Sequence, residues 1–327
     1  MKATAFAPAT VANVAVGFDI LGFALQSLGE SATVELISGH RKISIEPIAG
    51  YPALSLDPRT NTATARLLQL MRDKKLQHGF HVSLKKNIPV GSGLGGSSTS
   101  AVAAIVAASH LLKTPLTIDE LLHYALIGEE VASGARHSDN IAPCLHGGLV
   151  FVRGAASAGR QTNSRTSNQL TKMDVVQIPT PKQLHCVIIL PAVQINTKQA
   201  RSILKKNVSL SSMVQQTSNL AGLILGCAQN DFSLIRSSLK DAVIESQRAS
   251  QIPGFYEFQK IALRKKALGC SISGSGPAIF AWAESSADAR DINQAWIRAA
   301  KKLGIAVHGA WTSPIHQRGA HIVGVSR

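Results

Sequence analysis

The sequence has few of the residues that mark several common classes of protein. Aromatic residues make up only 5% of its 327 residues and charged residues only 16%, which disfavours a base-stacking surface for nucleic acid and a disordered polyelectrolyte. Its four cysteines form no Cys-x-x-Cys pair, which indicates buried, reduced thiols in a cytosolic protein. The longest apolar runs are too short to span a membrane, and Pro8 interrupts any signal-peptide core. We therefore expect a soluble cytoplasmic protein.

Basic residues outnumber acidic ones. The 34 Lys and Arg residues stand against 19 Asp and Glu, for a formal net charge of +15. Such an excess can serve nucleic acid or a membrane surface, and it can equally serve an anionic small molecule such as a nucleotide. The basic residues occur as scattered pairs such as Lys85-Lys86, not as a run typical of a basic tail. We expect a small-molecule substrate and neither nucleic acid nor membrane as a partner.

Strands alternate with paired helices along the chain, which indicates an α+β fold, and the length and 45% hydrophobic content suffice for two domains. Residues 153–172 are rich in Ser, Thr, Asn and Gln, as is typical of a linker. We place the boundary there, giving domains 1–160 and 161–327. The patterns predict strands at 32–37, 42–45, 80–85 and 186–190, and helices at 60–72, 97–112, 117–133, 213–229, 231–247 and 289–303.

The strongest chemical signal is a glycine-rich turn between a strand and a helix, Pro89-Val90-Gly91-Ser92-Gly93-Leu94-Gly95-Gly96. Glycines let backbone N–H groups approach an anion, and the following helix adds unpaired donors and the positive end of its dipole. The helix starts with three hydroxyl side chains, Ser97, Ser98 and Thr99. This is not a Walker A loop, because Ser97 stands where the lysine belongs. A turn and helix cap without a ligand is the simpler alternative.

The same turn matches the G-x-G-x-x-G pattern, so a dinucleotide-binding fold must be weighed. The acidic residues about twenty positions further on, Asp119 and Glu120, belong to a capping box that starts at Thr117 and do not end a strand. The preceding strand is also amphipathic, unlike a buried parallel strand. Both features disfavour a dinucleotide site.

Two further groups of polar residues stand out. Glu129 and Glu130 lie in the last turn of a predicted helix, where carboxylates face the negative end of the dipole. They are either exposed surface acids or, in the case of one of them, an oxygen ligand for Mg²⁺ near a phosphate loop. Asn13 and Asp19 are polar positions in the otherwise apolar segment 7–22. Together with Gly17 they suggest a recognition loop.

Three segments together resemble the motifs of the GHMP kinase family: 8–22, 89–100 and 273–278. Further segments are similar to those of family members that phosphorylate L-homoserine: His137-Ser138-Asp139-Asn140-Ile141-Ala142-Pro143, Thr197-Lys198-Gln199-Ala200-Arg201, and Arg248 with Ile252-Pro253-Gly254-Phe255. The resemblance covers residues 7 to about 283. It implies a nucleotide-binding N-terminal domain of the ribosomal-protein type, a ferredoxin-like C-terminal domain, and an active site between them that uses ATP and Mg²⁺.

The resemblance also implies roles for individual residues. Asn140, Glu129 and Ser97 take catalytic positions, and Ser97 and Glu129 face the metal. The expected nucleotide contacts are Asn61, Pro89, Val90, Gly91, Ser92, Gly93, Leu94, Gly95, Gly96, Ser97, Ser98 and Thr99. The expected homoserine contacts are Asn13, Asp19, Asn140, Thr197, Arg201 and Arg248. Arginines suit a carboxylate through paired N–H donors, Asp19 suits an ammonium, and Asn140 can orient a hydroxyl.

The resemblance has departures and leaves alternatives. The family usually reads Gly-Leu-Gly-Ser-Ser-Ala where this chain has Gly96 in place of the first serine, and a shift of one residue would turn Ser98 instead of Ser97 to the metal. No compelling general base is evident, although Asp139 and His137 are candidates. A GHMP kinase acting on mevalonate or shikimate, a non-catalytic protein on the same fold and a nucleic-acid-binding protein are the alternatives. The oligomeric state is open, with a homodimer considered.

Overall fold

The protein is described by a computed structural model that covers residues 1–133, 138–153 and 174–326, without the side chains of residues 127–133. Within these ranges the chain forms an α+β structure with two sheets. The strands are β1 (Lys2–Ala12), β2 (Leu21–Ile37), β3 (Ile43–Ile45), β4 (Gly79–Lys85), β5 (Leu149–Arg153), β6 (Asp174–Ile178), β7 (His185–Pro191), β8 (Gly269–Ile272), β9 (Ile279–Ala283), β10 (Val307–Pro314) and β11 (His321–Ser326).

Helices connect the strands and pack against both sheets. They are α1 (Ala65–Asp73), α2 (Gly96–His110), α3 (Ile118–Ser133), α4 (Ser138–His146), α5 (Thr197–Ser202), α6 (Leu210–Gln229), α7 (Phe232–Ser238), α8 (Glu245–Arg248), α9 (Phe255–Arg264) and α10 (Ser286–Leu303). In the part of the chain covered by the structure, none of these helices is long and apolar enough to cross a membrane.

The first sheet has seven strands and is built around the long strand β2. Its main order is β11-β1-β2-β4-β3, and β5 and β6 extend it from the first residues of β2. Helix α2 packs against β1 and β2. Its small and apolar residues are buried on nearly all sides, as expected of a helix enclosed between a sheet and other helices. This packing fixes the start of α2, which follows the glycine-rich turn, against the end of β1.

The second sheet has four antiparallel strands in the order β10-β7-β9-β8. Numbered along the chain from β7, this is the order 4-1-3-2 with helices in the two crossovers, which is the ferredoxin-like arrangement. Its core includes Phe258 and Trp296, and the indole N–H of Trp296 donates to the carbonyl of Phe258 over 2.8 Å. The expected ferredoxin-like domain is therefore confirmed.

Most predicted elements are present, and one is wrong. The capping box forms as expected, with Glu120 N–H donating to Thr117 Oγ1 over 3.3 Å and Thr117 N–H donating to Glu120 Oε2 over 2.8 Å. The single helix predicted over 231–247 is instead two helices, α7 and α8. At the break the carboxylate of Asp241 accepts the N–H groups of Val243 and Ile244, which a continuous helix would pair with carbonyls four residues earlier.

Strand β1 was not predicted, and β2 begins eleven residues before the predicted strand at residue 32. The domain boundary predicted between residues 160 and 161 lies outside the described residues. Two strands that follow it in sequence, β6 and β11, pair with β5 and β1 in the first sheet. The chain therefore returns to the first sheet after building the second.

Candidate active site

One cleft of about 740 Å³ lies between the two sheets and their helices. It is lined by the loop after β1, the segment before α1, the glycine-rich turn before α2, the first turn of α4, residues 194–201, Arg248 and residues 274–275. Of the described residues predicted to form the site, only Leu94 and Thr99 do not line it. Both are buried, and Thr99 Oγ1 donates to the carbonyl of Gly95 over 2.8 Å.

The glycine-rich turn adopts a backbone conformation that requires glycine. Gly91, Gly93 and Gly95 have φ angles of 70°, 78° and 68°, which side chains with a Cβ rarely tolerate. A Cβ on Gly93 would lie 2.5 Å from the carbonyl oxygen of Ser273. The turn is therefore packed directly against the second glycine-rich turn, 273–277.

The two glycine-rich turns are also joined by hydrogen bonds. Ser273 Oγ donates to the carbonyl of Gly93 over 2.7 Å, and the N–H of Ala278 donates to the carbonyl of Ser92 over 3.0 Å. Because the first turn precedes α2 and the second connects β8 to β9, the conformation of the first turn depends on both domains.

The N-terminus of α2 opens into the cleft. Its N-cap is Gly95, which has no side chain to accept from the first N–H groups of the helix. A Cβ at this position would lie 2.8 Å from Asn140 Oδ1. These N–H groups and the helix dipole suit an anion. Ser97 is exposed to the cleft, whereas Ser98 is buried beside it.

A buried ion pair below the glycine-rich turn was missed at the sequence level. Lys86 Nζ lies 2.8 and 2.9 Å from the two carboxylate oxygens of Glu30 and 2.9 Å from Ser100 Oγ. The side chains of Lys86 and Glu30 are only 5% and 1% exposed. Burial raises the pKa of Glu30, an effect that the charge of Lys86 opposes.

A signal for this pair is present in the strand pattern. Lys86 continues the alternation of Phe80, Val82 and Leu84 along β4, and Glu30 lies on the buried face of β2 with residues 28, 32 and 34. Since β2 and β4 pair with Ser31 opposite Lys85, the two charges occupy neighbouring inward positions. The alternation along each strand therefore places a charge on the inward face, and the pairing of the two strands joins the charges.

Asn13 and Asp19 shape the loop after β1 and have φ angles of 70° and 64°. Asn13 Oδ1 accepts from the N–H of Asp19 over 3.0 Å, and Asn13 Nδ2 donates to the carbonyl of Gly274 over 3.0 Å. Both ends of the Asn13 amide are therefore engaged within the protein, and Asn13 braces the loop against the second domain. The carboxylate of Asp19 faces the cleft.

A charged cluster crosses the cleft from this loop to the second domain. Arg201 makes a bidentate ion pair with Asp19, in which Nη1 lies 3.2 Å from Oδ1 and Nη2 contacts Oδ2. The hydrogen bonds to Asp19, together with its charge, raise the pKa of Arg201. The pair is partly open to solvent, with 46% of the Arg201 side chain and 35% of the Asp19 side chain exposed.

Arg248 lies deeper in the same cluster. It is 3% exposed, and it donates to the carbonyl of Gly274 over 2.9 Å and to the carbonyl of Ala200 over 3.2 Å. Burial lowers the pKa of Arg248, while the nearby charge of Asp19 opposes this effect. Arg201 and Arg248 each stack over the ring of Phe18 with 5.4 Å to its centroid. Phe18 was not singled out in the sequence.

The side chains of the remaining predicted residues are held by hydrogen bonds within the protein. Asn140 Oδ1 accepts from Thr10 Oγ1 over 2.8 Å, and the hydroxyls of Thr197 and Ser275 lie 3.3 Å apart. Asn61 is 6% exposed, and its amide is hydrogen-bonded to the backbone of Ser55 and Ala63.

Glu129, the one acidic residue predicted to bind the metal, lies on α3 where side chains are not described. His137, a candidate general base, lies outside the described residues. Among the side chains that the structure does describe, no group of three or more His, Cys, Asp or Glu residues could hold a metal ion. Asp139 is 3% exposed and lines the cleft.

Two parts of the chain match known protein families separately. Residues 61–148 match the family described as GHMP kinases N terminal domain, and residues 223–302 match the family described as GHMP kinases C terminal. The chain is 38% identical to the homoserine kinase of Chloroherpeton thalassium, covering 98% of this chain and 99% of that protein. It is 40% identical to the homoserine kinase of Xylella fastidiosa strain M12, covering 98% and 94%.

Solved structures give the same picture. The crystal structure of homoserine kinase from Cytophaga hutchinsonii matches with a TM-score of 0.90 and 39% identity, covering 98% of this chain and 97% of that chain. A crystal structure of L. major mevalonate kinase in complex with R-mevalonate matches with a TM-score of 0.68 and 18% identity, covering 95% of each chain. The second match shows a shared fold only.

Proposed function

This chain belongs to the GHMP kinase family, and from that premise we infer that it transfers the γ-phosphate of ATP to the side-chain hydroxyl of L-homoserine. The product is O-phospho-L-homoserine, an intermediate of threonine biosynthesis. Relatives at about 40% identity over nearly the whole chain are homoserine kinases. The observation that carries the inference is one cleft that holds both an anion-binding loop and a cluster of two arginines and an aspartate.

The first domain supplies the nucleotide site. The uncapped N-terminus of α2 and the left-handed glycines 91, 93 and 95 form a cradle that a Cβ would fill, which fits the phosphates of ATP. Lys86 lies beside the first turn of α2 and is paired with Glu30, and the pair supports that turn from below. Asn61, which lines the same cleft, is proposed to lie near the base.

Mg²⁺ would be held at the start of α2. Ser97, whose side chain is exposed to the cleft, is better placed to reach it than the buried Ser98. Glu129 is the proposed carboxylate ligand. Mg²⁺ is often held by one or two protein carboxylates together with substrate phosphates, so these residues fit it. When bound, the metal would neutralise charge on the phosphates.

Exchange of one acid tests the metal proposal. Glu129→Gln keeps the size of the side chain but removes its charge, and we expect kcat to fall roughly 10²-fold, as for the loss of one preorganised electrostatic group. Glu130→Gln is the matched control on the neighbouring position and should change kcat much less. Activity is measured by ADP release over a range of Mg²⁺ concentrations. Equal effects of the two substitutions, or a larger effect of Glu130→Gln, would show that the assignment of Glu129 to the metal is wrong.

The acceptor site is formed by both domains. Arg248 and Arg201 from the second domain are proposed to hold the carboxylate of homoserine, and Asp19 from the first to hold its ammonium. Because Asn140 Oδ1 is engaged by Thr10, its amide nitrogen is the end that can donate to the substrate hydroxyl. Thr197 lies next to this pocket, at the start of the helix that carries Arg201.

The transfer itself is proposed to be direct and in line, without a phospho-enzyme. Phosphoryl transfer of this kind depends mainly on positioning and on neutralising charge. The backbone N–H groups of the glycine loop and the dipole of α2 stabilise charge on the transferring group, while Asn140 orients the attacking hydroxyl. A soluble cytoplasmic enzyme that acts on a small molecule is consistent with this chemistry.

An ADP-release assay with a panel of acceptors tests the proposed function. Purified protein with Mg-ATP should turn over L-homoserine at least about tenfold faster than mevalonate, shikimate or galactose, since one missing or misplaced charge in a polar site costs more than this factor. Faster turnover of mevalonate or shikimate would leave the family intact and refute the assignment of the substrate. Absence of turnover with every acceptor would favour a non-catalytic protein on this fold.

A further inference from the structure

Arg248 is carried by a very short helix, and the segment before that helix is held by side chains. Helix α8 has only four residues, Glu245–Arg248, and so short a helix does not form by itself. The carboxylate of Asp241 accepts three backbone N–H groups in the turn that leads into α8: Val243 over 2.7 Å and Ile244 over 2.9 Å at Oδ1, and Glu245 over 2.9 Å at Oδ2. Of these, only Glu245 belongs to α8, as its first residue. Asp241 therefore fixes the backbone of the turn and satisfies one of the donors that the start of the helix leaves unpaired.

The same segment is tied to α6 and, through it, to the opposite side of the acceptor site. Gln216 Oε1 accepts from the N–H of Ala242 over 2.7 Å, and Gln216 Nε2 donates to the carbonyl of Val16 over 3.1 Å. Val16 belongs to the loop that carries Asp19. Asn219 Nδ2 donates to the carbonyl of Lys240 over 2.7 Å. The turn before α8 is thus fixed relative to both halves of the proposed acceptor pocket.

These contacts set the position of one guanidinium. The carbonyls of Gly274 and Ala200 orient the head of Arg248, but they can do so only if its backbone lies at the right distance. A small misplacement of a binding group can cost a large factor in rate. Because the side chain of Arg248 is buried, it has little freedom to change rotamer and so cannot compensate for a shift of its backbone.

We propose that Asp241 is a positioning residue for acceptor binding, which holds the turn before α8 so that Arg248 is presented to the cleft. The inference rests on the proposed role of Arg248 in holding the substrate carboxylate. Asp241 itself acts by holding the backbone of residues 243–245. The same turn is joined by Gln216 to the loop that carries Asp19. It is not expected to contact the substrate.

The primary test is Asp241→Asn, in which one acceptor oxygen is replaced by an NH₂ group that cannot accept. We expect kcat/KM for homoserine to fall roughly 10- to 100-fold, in line with the rate lost when a binding group is misplaced, mainly through a higher KM. The KM for ATP should change less than about twofold, since the glycine loop is not touched. Asp241→Ser also keeps one acceptor oxygen but on a shorter side chain, so it should give a loss of the same order, and it serves as the second variant if the first folds poorly.

The matched control is Asp231→Asn. Asp231 caps the neighbouring helix α7 by accepting from Leu234 N–H over 2.9 Å, in the same domain but away from the cleft. We expect it to leave both KM values unchanged. Thermal unfolding of all variants shows whether the effect follows lost stability. If Asp231→Asn raises the KM for homoserine as much as Asp241→Asn does, the effect is a general one and the proposal is refuted.

A double-mutant cycle with Arg248→Lys separates the proposal from the function on which it rests. If Asp241 acts through Arg248, then Asp241→Asn should add less than about twofold to the loss already caused by Arg248→Lys, because coupled residues are not additive. A full, multiplicative loss in the double variant overturns the positioning role. Wild-type kinetics for Arg248→Lys itself would instead refute the proposed acceptor site.

Discussion

Truncation of the two arginines of the acceptor site should have unequal effects, although the family resemblance gives both the same role. Arg248 is 3% exposed and has its hydrogen bonds fixed by two carbonyls. Arg201 is about half exposed and is already paired with Asp19. A carboxylate that binds Arg248 gains a partner in a desolvated site, whereas one that binds Arg201 competes with an existing ion pair.

The magnitudes follow from this difference. Removing one member of a buried charge pair typically costs about 2–5 kcal/mol. At about 1.4 kcal/mol for each factor of ten, Arg248→Ala should therefore lower kcat/KM for homoserine by about 30- to 4,000-fold. An ion pair as exposed as that of Arg201 and Asp19 typically contributes about 0.2–1 kcal/mol. Arg201→Ala should therefore lower kcat/KM for homoserine by less than about fivefold.

The assay is ADP release with homoserine and ATP varied separately. The KM for ATP should stay within about twofold for both variants, because the nucleotide loop precedes α2 in the other domain. Arg248→Lys is the matched control: it keeps the charge but loses the planar fork, and it should recover only part of the lost activity. Equal losses for Arg201→Ala and Arg248→Ala, or a parallel loss of ATP affinity, would refute the reasoning from burial.

Three further predictions use other parts of the molecule. Asp19→Asn should reduce the preference for homoserine over an analogue that lacks the amino group, as measured by the ratio of their kcat/KM values, and an unchanged ratio would show that Asp19 does not read the ammonium. Glu30→Gln leaves Lys86 buried without its counter-charge and should lower the free energy of unfolding in urea by about 3–5 kcal/mol. A change below about 1 kcal/mol, which is close to the error of such measurements, would contradict a buried pair. Burial raises the pKa of Cys227 to about 12 and all four cysteines are buried, so a thiol reagent at pH 8 should react only after unfolding.

The sequence predicts best those features that depend on local patterns. The glycine-rich turn, the helix start at Ser97 and the capping box at Thr117 are each determined by the types of residue at a few adjacent positions. The structure places them as expected, with α2 beginning at Gly96 and the capping box closed by two hydrogen bonds. Local signals also fail where a side chain intervenes: the apolar spacing across 231–247 suggests one helix, but α7 ends at Ser238, and Asp241 accepts backbone N–H groups in the turn between the two helices.

Side-chain pairs that depend on contacts far apart in the sequence were not predicted. The register of β2 and β4 brings Glu30 to Lys86, 56 positions away, and only the pairing of the strands shows that the two inward charges meet. Likewise, the resemblance assigns Asp19 and Arg201 to different groups of the substrate, but the fold brings them together as an ion pair across 182 positions. No spacing rule in the sequence carries this information.

Contacts between the two domains support both the proposed nucleotide loop and the proposed acceptor site. Asn13 from the first domain donates to Gly274 in the second, Ser273 donates back to Gly93, and Asp19 pairs with Arg201. Each of these contacts joins a loop proposed to touch one substrate to a loop of the other domain. The nucleotide loop and the acceptor site therefore share one set of supports, and the geometry between the γ-phosphate and the attacking hydroxyl is fixed by the domain interface as much as by either domain. Because in-line transfer depends chiefly on that geometry, substitutions at Ser273 or Asn13 should affect kcat even though neither side chain needs to contact a substrate.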